Sequence, residues 1–230
     1  MNQTTVSARL TEVLGRIRAA ERRNGRPEGC VALVAVSKRH GAEAIRAAYA
    51  AGQRAFGENY VQEAMAKQAE LADLAIEWHF IGRIQGNKTR QIAERFSWVH
   101  SLCDAQHARR LEVQRPAGLP PLQACIQVNT SGEASKEGLA PEAVVDLLTA
   151  CAPLVRVQIR GLMTLPAPAP DEEGQHRPLR TLRELRDRLA TPDRPLAVLS
   201  MGMSDDLEAA VAEGATIVRI GTAVFGPRPL

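Results

Sequence analysis

The chain has 230 residues, 45% apolar and 24% charged, and its 29 basic and 26 acidic side chains leave a net charge of +3. This is enough to close one sizeable core, and it fits one α/β domain over residues 1–230 better than two small ones. Aromatic residues make up only 3% and basic residues form no long block, which argues against base-stacking nucleic-acid surfaces and polybasic tails, and no apolar stretch is long enough to span a membrane.

The opening Met1-Asn2-Gln3-Thr4-Thr5 carries no basic segment followed by an apolar run, so no signal peptide is expected and the predicted location is the cytoplasm. Cys30, Cys103, Cys125 and Cys151 form no C-x-x-C pair, and no His pair stands at metal spacing. Reduced, buried thiols and no metal site are predicted.

In chain order, Val6, Leu10, Val13, Leu14 and Ile17 recur at helical spacing until Asn24-Gly25 and Pro27 interrupt the pattern. The run 31–36, Val-Ala-Leu-Val-Ala-Val, reads as a strand buried on both faces, as in parallel sheets. A helix over 42–51 follows and Gly52 ends it. Strand two covers 54–56 and leads into Gly57-Glu58-Asn59, with a helix over 60–74 after it. Strand three covers 77–81, a helix 89–95, strand four 98–101, a helix 105–114 and strand five 122–129. Pro141 opens a helix running to about 151. Strand six falls within 155–163, and a Pro-rich connector at 166–170 leads to a helix over 176–189. Strand seven covers 196–199, a helix 205–213 and strand eight 216–219.

Eight strands alternating with helices predict a parallel sheet, and the count favours a closed (β/α)8 TIM-type barrel with an extra N-terminal helix. The rival is an open doubly wound sheet. It would usually show a glycine-rich turn after strand one, where this chain has Ser37-Lys38-Arg39-His40-Gly41.

In a barrel, chemistry sits where strands end. Strand one ends at Ser37-Lys38. Burying a lysine charge is costly, and partial burial favours the neutral amine that attacks an aldehyde. Taken alone, a lysine after a strand is equally a solvated one beside Arg39. The ends of strands seven and eight, Ser200-Met201-Gly202-Met203-Ser204 and Gly221-Thr222, offer hydroxyls, glycines and backbone amides in the loops where barrels often hold phosphate. Ser204-Asp205-Asp206 also reads as a helix N-cap. Arg219 interrupts an apolar strand. It either faces a ligand ring nitrogen or makes a structural ion pair. His79 reads as a hydrogen-bonded interior histidine rather than a general base. Asn59, Asn87 and Asn129 could orient ring substituents or cap helices, and Glu58 could pair with a nearby base. Lys88 and Lys136 read as solvated, with a secondary ligand site as the alternative.

Taken together, Val34-Ala35-Val36-Ser37-Lys38, Phe56-Gly57-Glu58-Asn59-Tyr60-Val61-Gln62-Glu63, Trp78-His79-Phe80-Ile81-Gly82, Ser135-Lys136-Glu137-Gly138-Leu139, Gly161-Leu162-Met163, the run 199–206 and the run 218–226 resemble one family along the whole chain. It is similar to the pyridoxal phosphate homeostasis proteins (the YggS/PROSC family). The resemblance implies a barrel of the alanine-racemase N-terminal type, pyridoxal phosphate fold type III without the second β-domain. It implies an internal aldimine of pyridoxal 5′-phosphate on Lys38. It also implies phosphate contacts from Ser200, Gly202 or Ser204 and from Gly221 and Thr222, with Arg219 at the pyridine nitrogen; Asn59 joins these expected binding residues from its place at the end of strand two.

Two classes of function follow. In the first, the protein buffers and delivers pyridoxal phosphate, passing it transiently to apo-enzymes, as a monomer without turnover of its own. In the second it is a pyridoxal phosphate-dependent amino-acid racemase, or a Schiff-base lyase on a small phosphorylated substrate. A racemase needs a second base. Related two-domain racemases bring a tyrosine from another domain, and this chain reaches Leu230 shortly after strand eight, with only Tyr49 and Tyr60 of its own. The carrier is therefore the expectation.

Overall fold

The computed structural model describes residues 5–133 and 137–227. Strands β1 (Ala32–Val36), β2 (Ala55–Glu58), β3 (Glu77–Phe80), β4 (Trp98–Leu102), β5 (Leu122–Gln127), β6 (Val157–Met163), β7 (Val198–Ser200) and β8 (Ile217–Ile220) close into one parallel barrel in chain order. Closure is made by β8 against β1, with Leu33 opposite Val218 and Val34 opposite Arg219. This is the (β/α)8 barrel predicted from the alternation.

Around it lie α2 (Ala42–Ala50), α3 (Val61–Glu70), α4 (Thr89–Arg95), α5 (Ala105–Gln114), α6 (Val144–Cys151), α7 (Glu172–Leu189) and α8 (Leu207–Ala212), with a 3₁₀ turn at Pro141–Ala143. The extra helix α1 (Val6–Arg23) is capped by Thr5, whose hydroxyl accepts from the Ala8 amide. Its stripe of Leu10, Val13, Ile17 and Ala20 is buried, and it packs against α2, α8 and a short helix α9 (Thr222–Phe225) that the sequence pattern does not reveal. No described helix is long and apolar enough to cross a membrane.

Strand alternation sorts the residues into two cores. Leu33 and Ala35 of β1, and Val218 and Ile220 of β8, join the apolar layer between sheet and helices. Val34 and Val36 point the other way, since a β-carbon at Gly57 would meet Val34, Val36 and Ile81 inside the barrel. The same parity carries Lys38, two residues past Val36, to the barrel mouth. Gly161 lets β6 approach β7, where an added β-carbon would collide with the Val198 carbonyl.

Most boundaries shift by one or two residues, β5 for example ending at Gln127 and α8 spanning Leu207–Ala212, and three shifts have a clear local cause. β7 starts at Val198 rather than 196, because Leu196 has a left-handed φ of 44° and breaks the extended run. α7 starts four residues early, at Glu172, because Asp171 caps it through the Gly174 amide, and Pro178 is carried inside the helix. α3 stops at Glu70 rather than 74, where Leu71 to Leu74 close a turn. Of the cysteines, Cys125 and Cys151 are buried, while Cys30 and Cys103 are half-buried free thiols.

Candidate functional site

The strand ends at the barrel mouth surround a cavity of about 610 Å³, a volume in the range of small-ligand sites. Val36, Ile81, Met163 and Leu165 give it an apolar wall. Lys38, Asn59, Ser204, Arg219, Gly221 and Thr222 supply polar groups, joined by Arg16, His40 and Asp205. Six of the eight expected binding residues therefore meet around one space.

Lys38 sits on a turn in which the His40 amide donates to the Ser37 carbonyl (3.0 Å) and Arg39 takes a left-handed φ of 64°. A non-glycine residue held there stores strain of about 1 kcal/mol. Asn59 follows β2. Gly82 passes so close to the Asn59 backbone that any β-carbon would overlap the Asn59 carbonyl oxygen. The Asn59 Oδ1 atom is buried without a hydrogen-bond partner, an acceptor left over for a ligand. Gly221 crosses the end of β1, where a β-carbon would lie 3.3 Å from the Val36 carbonyl. Gly221 and Thr222 open α9, whose first amides have no intrahelical acceptor by position.

Arg219 forms the floor. Its Nη1 donates to Ser200 Oγ (2.7 Å) and its Nη2 to the Thr164 carbonyl (2.8 Å). The group is 5% exposed, and burial pushes its pKa down to about 10 although the Asp206 carboxylate draws it upward. It stays a cation at neutral pH, and its remaining N–H groups are available to the cavity.

Below the floor a column of hydrogen bonds runs through the buried Ser200, His100 and His79 to Glu77, whose side chain is half-exposed. Ser200 Oγ meets His100 Nδ1 (2.7 Å), His100 Nε2 meets His79 Nδ1 (2.8 Å), and His79 Nε2 meets Glu77 Oε1 (2.6 Å). Burial lowers the pKa of both histidines, for His100 well below the usual value. The bond from His79 holds the Glu77 carboxyl low, so Glu77 is ionised and can only accept. His79 therefore donates through Nε2 and accepts at Nδ1, His100 donates through Nε2, and the Ser200 hydroxyl donates to His100 while accepting from Arg219. Every member is satisfied by one consistent polarity. His79 is thus the interior hydrogen-bonded histidine expected from the sequence.

The two remaining expected residues lie beneath or behind the cavity. Ser200 is fully buried and its hydroxyl is committed to Arg219 and His100. Gly202 is buried in a left-handed turn (φ 100°), its carbonyl accepting from the Arg219 amide (2.9 Å), and a β-carbon there would lie 2.5 Å from that of Ala210. Asp206 stands at the N-cap of α8 without a side-chain cap bond, its carboxylate accepting instead from the Met203 amide (2.6 Å), and Ser204 lines the cavity. Asn129 forms a local loop, accepting from the Ser131 and Gly132 amides. Lys88 lines a neighbouring hollow with Asn59 and Glu137, and Lys136 lies outside the described residues.

Sequence reasoning missed Arg16 and His40. Arg16 reaches the cavity from α1, grips Glu208 through Nε and Nη2 (2.9 and 2.8 Å) and donates to the Ser204 carbonyl (3.0 Å). His40 lines the mouth and stacks on Phe225 with centroids 5.1 Å apart. Both depend on contacts with the far end of the chain, which periodicity does not report. No group of three or more His, Cys, Asp or Glu residues able to hold a metal occurs among the described residues.

Residues 13–229 match the family described as alanine racemase, N-terminal domain. The chain is 56% identical over 225 residues to a pyridoxal phosphate homeostasis protein of Pseudomonas aeruginosa, covering 98% of this chain and 96% of the relative. It is 46% identical to the protein of that name from Escherichia coli K12, covering 97% of each. Among solved structures, PipY of Synechococcus elongatus PCC7942 with PLP bound superposes with a TM-score of 0.81 at 41% identity, over 96% of this chain and all of that one.

Proposed function

This chain belongs to the alanine racemase N-terminal domain family and, within it, to the pyridoxal phosphate homeostasis proteins, and on that premise we propose that it binds pyridoxal 5′-phosphate through a Schiff base on Lys38. It acts as an intracellular buffer and donor of that molecule without turnover of its own. One barrel domain carries the site, as a cytoplasmic monomer that passes its cargo to apo-enzymes in transient contacts.

The observation that carries this reading is the convergence of Lys38, Asn59, Arg219, Ser204 and Thr222 on one cavity that has an apolar wall at Val36, Ile81, Met163 and Leu165. A flat heteroaromatic ring with a phosphate arm needs this donor set. The Lys38 amine, neutral at the moment of attack, forms a C=N bond with the aldehyde carbon and water leaves. Arg219 presents an N–H to the pyridine nitrogen and, as a cation, keeps that nitrogen unprotonated, which weakens the ring as an electron sink. Ser204, the Thr222 hydroxyl and the first amides of α9 receive the phosphate beside Gly221, with Arg16 adding positive charge at the rim. Asn59 presents its unpartnered carbonyl oxygen to a ring substituent that can donate. Ser200 and Gly202 serve the same seat indirectly, by fixing Arg219.

The reading without turnover rests on the relatives named homeostasis proteins, and a racemase would need a second proton carrier opposite its lysine, a role for which His40 and Asp205 are the candidates among the described lining residues. The test is a transfer experiment. The loaded protein is mixed with a pyridoxal phosphate-dependent apo-enzyme, and recovered activity is compared with that given by an equal amount of free cofactor. Alanine racemisation by the loaded protein alone is followed in parallel. Activation of the apo-enzyme with no racemisation is the expected result. Catalytic racemisation of free amino acid would replace the carrier with the enzyme.

A further inference from the structure

The turn that bears Lys38 is gripped from outside the barrel by a buried ionic cluster that the proposed chemistry does not use. Lys67 of α3 directs its ammonium to three oxygens, those of the Ser37 carbonyl (2.8 Å), Glu58 Oε1 (2.7 Å) and Glu63 Oε1 (2.7 Å). Its three donors are thereby all used. Ser37 Oγ donates to Glu58 Oε1 (2.6 Å), and the Arg39 amide donates to Glu63 Oε1. The residues on either side of Lys38 are therefore each tied to the same cluster. The Lys67 side chain is 7% exposed and that of Glu58 0%, while Glu63 is 26% exposed.

Burying an ammonium and a carboxylate on the outer face of a barrel is costly, and apolar residues there would serve the fold as well. The cluster acts on a backbone that needs it, because Arg39 is held at a φ of 64°, where only glycine is at ease. We propose that Lys67, with Glu58 and Glu63, is a positioning clamp that holds the Ser37–Lys38–Arg39 turn in its left-handed shape and so aims the Lys38 amine into the cavity. This rests on Lys38 being the Schiff-base residue. Lys67 touches no ligand and acts through the backbone of its neighbours.

The experiment compares wild type, Lys67→Met, Glu63→Gln and the double variant Lys67→Met with Arg39→Gly. Two ligands separate aim from seat. Pyridoxal 5′-phosphate reports Schiff-base formation by its visible absorbance, and pyridoxine 5′-phosphate, which has no aldehyde, reports the ring and phosphate seat alone. The expected result for Lys67→Met is a fall of about tenfold or more in the rate of Schiff-base formation, with pyridoxine phosphate affinity within about twofold of wild type. Glu63→Gln keeps the shape of the cluster and loses about threefold. Arg39→Gly, which takes the left-handed turn unaided, restores at least about threefold to Lys67→Met.

Wild-type rates in folded Lys67→Met, or equal losses for both ligands, would overturn the clamp. If Lys67→Met does not fold, Glu63→Gln alone decides, and an unchanged rate there overturns it. A wild type that forms no adduct on Lys38 instead refutes the Schiff-base reading, and it is distinguished by its retained affinity for pyridoxine phosphate.

Discussion

Ser200→Ala separates two roles that look alike in the sequence. As a phosphate ligand, Ser200 would affect binding alone. As the link between Arg219 and His100, it holds the apo protein together. The substitution removes a charge-assisted bond from Arg219 (2.7 Å) and a neutral bond to His100 (2.7 Å), both fully buried. The first contributes about 1.5–3 kcal/mol and the second about 0.5–1.5 kcal/mol, so a loss near 3 kcal/mol is expected once the orphaned donor and acceptor are counted. For a chain of this size that lowers the Tm of the apo protein by about 6–12 °C. Thermal and urea unfolding of apo wild type and variant measure the loss, and a pyridoxal phosphate titration follows. Affinity falls as well, because among the described residues Arg219 keeps only the Thr164 carbonyl as a hydrogen-bonded side-chain anchor. A variant with a Tm within about 1 °C of wild type and a large loss of affinity would refute the reasoning and return Ser200 to the phosphate.

Other consequences are tested more briefly. Gly161→Ala drives a β-carbon into the Val198 carbonyl across β6 and β7; a loss of about 3 kcal/mol or more in urea unfolding is expected, and near-wild-type stability would show that the barrel yields there. Arg16→Ala removes a half-exposed ion pair with Glu208 and the tie to the Ser204 carbonyl. Stability should change by no more than about 1 kcal/mol, while pyridoxal phosphate affinity drops roughly three- to tenfold, as read by fluorescence titration. Burial raises the thiol pKa of Cys125 to about 12 and of Cys151 to about 11. At pH 8 the reactive thiolate is therefore roughly one part in ten thousand and one in a thousand. Thiol reagents should leave both silent in the native protein and modify them in urea, with mass mapping as the readout. Labelling of native Cys125 at the rate of Cys30 would contradict the burial.

The barrel was legible because each strand is a short apolar run and each helix has a stripe, and these are local properties. The position of Lys38 after the apolar run of strand one suggested the barrel mouth, and the structure places it on the cavity lining. Depth along the barrel axis was not legible. Ser200 and Ser204 look equivalent in Ser-Met-Gly-Met-Ser, yet the long Arg219 side chain occupies the hydroxyl of Ser200, while Ser204 lines the cavity. Backbone exceptions were equally hidden, because Leu196 and Arg39 take left-handed conformations that their residue types disfavour. Arg16 required knowing that α1 docks against α8, 188 residues away at its bond to Ser204. The Lys67 cluster could have been suspected from Glu58, Glu63 and Lys67, since Glu63 and Lys67 stand one helical turn apart, but burial was needed to show its target.

The most direct test is the absorption spectrum of the protein with pyridoxal phosphate, wild type beside Lys38→Ala, followed by borohydride reduction and mass mapping of the modified lysine. A band near the visible edge in wild type only, with the reduced adduct on Lys38, is the predicted result. No band in wild type, an unchanged band in Lys38→Ala, or an adduct on another lysine such as Lys67 or Lys88 would contradict the assignment of the cavity.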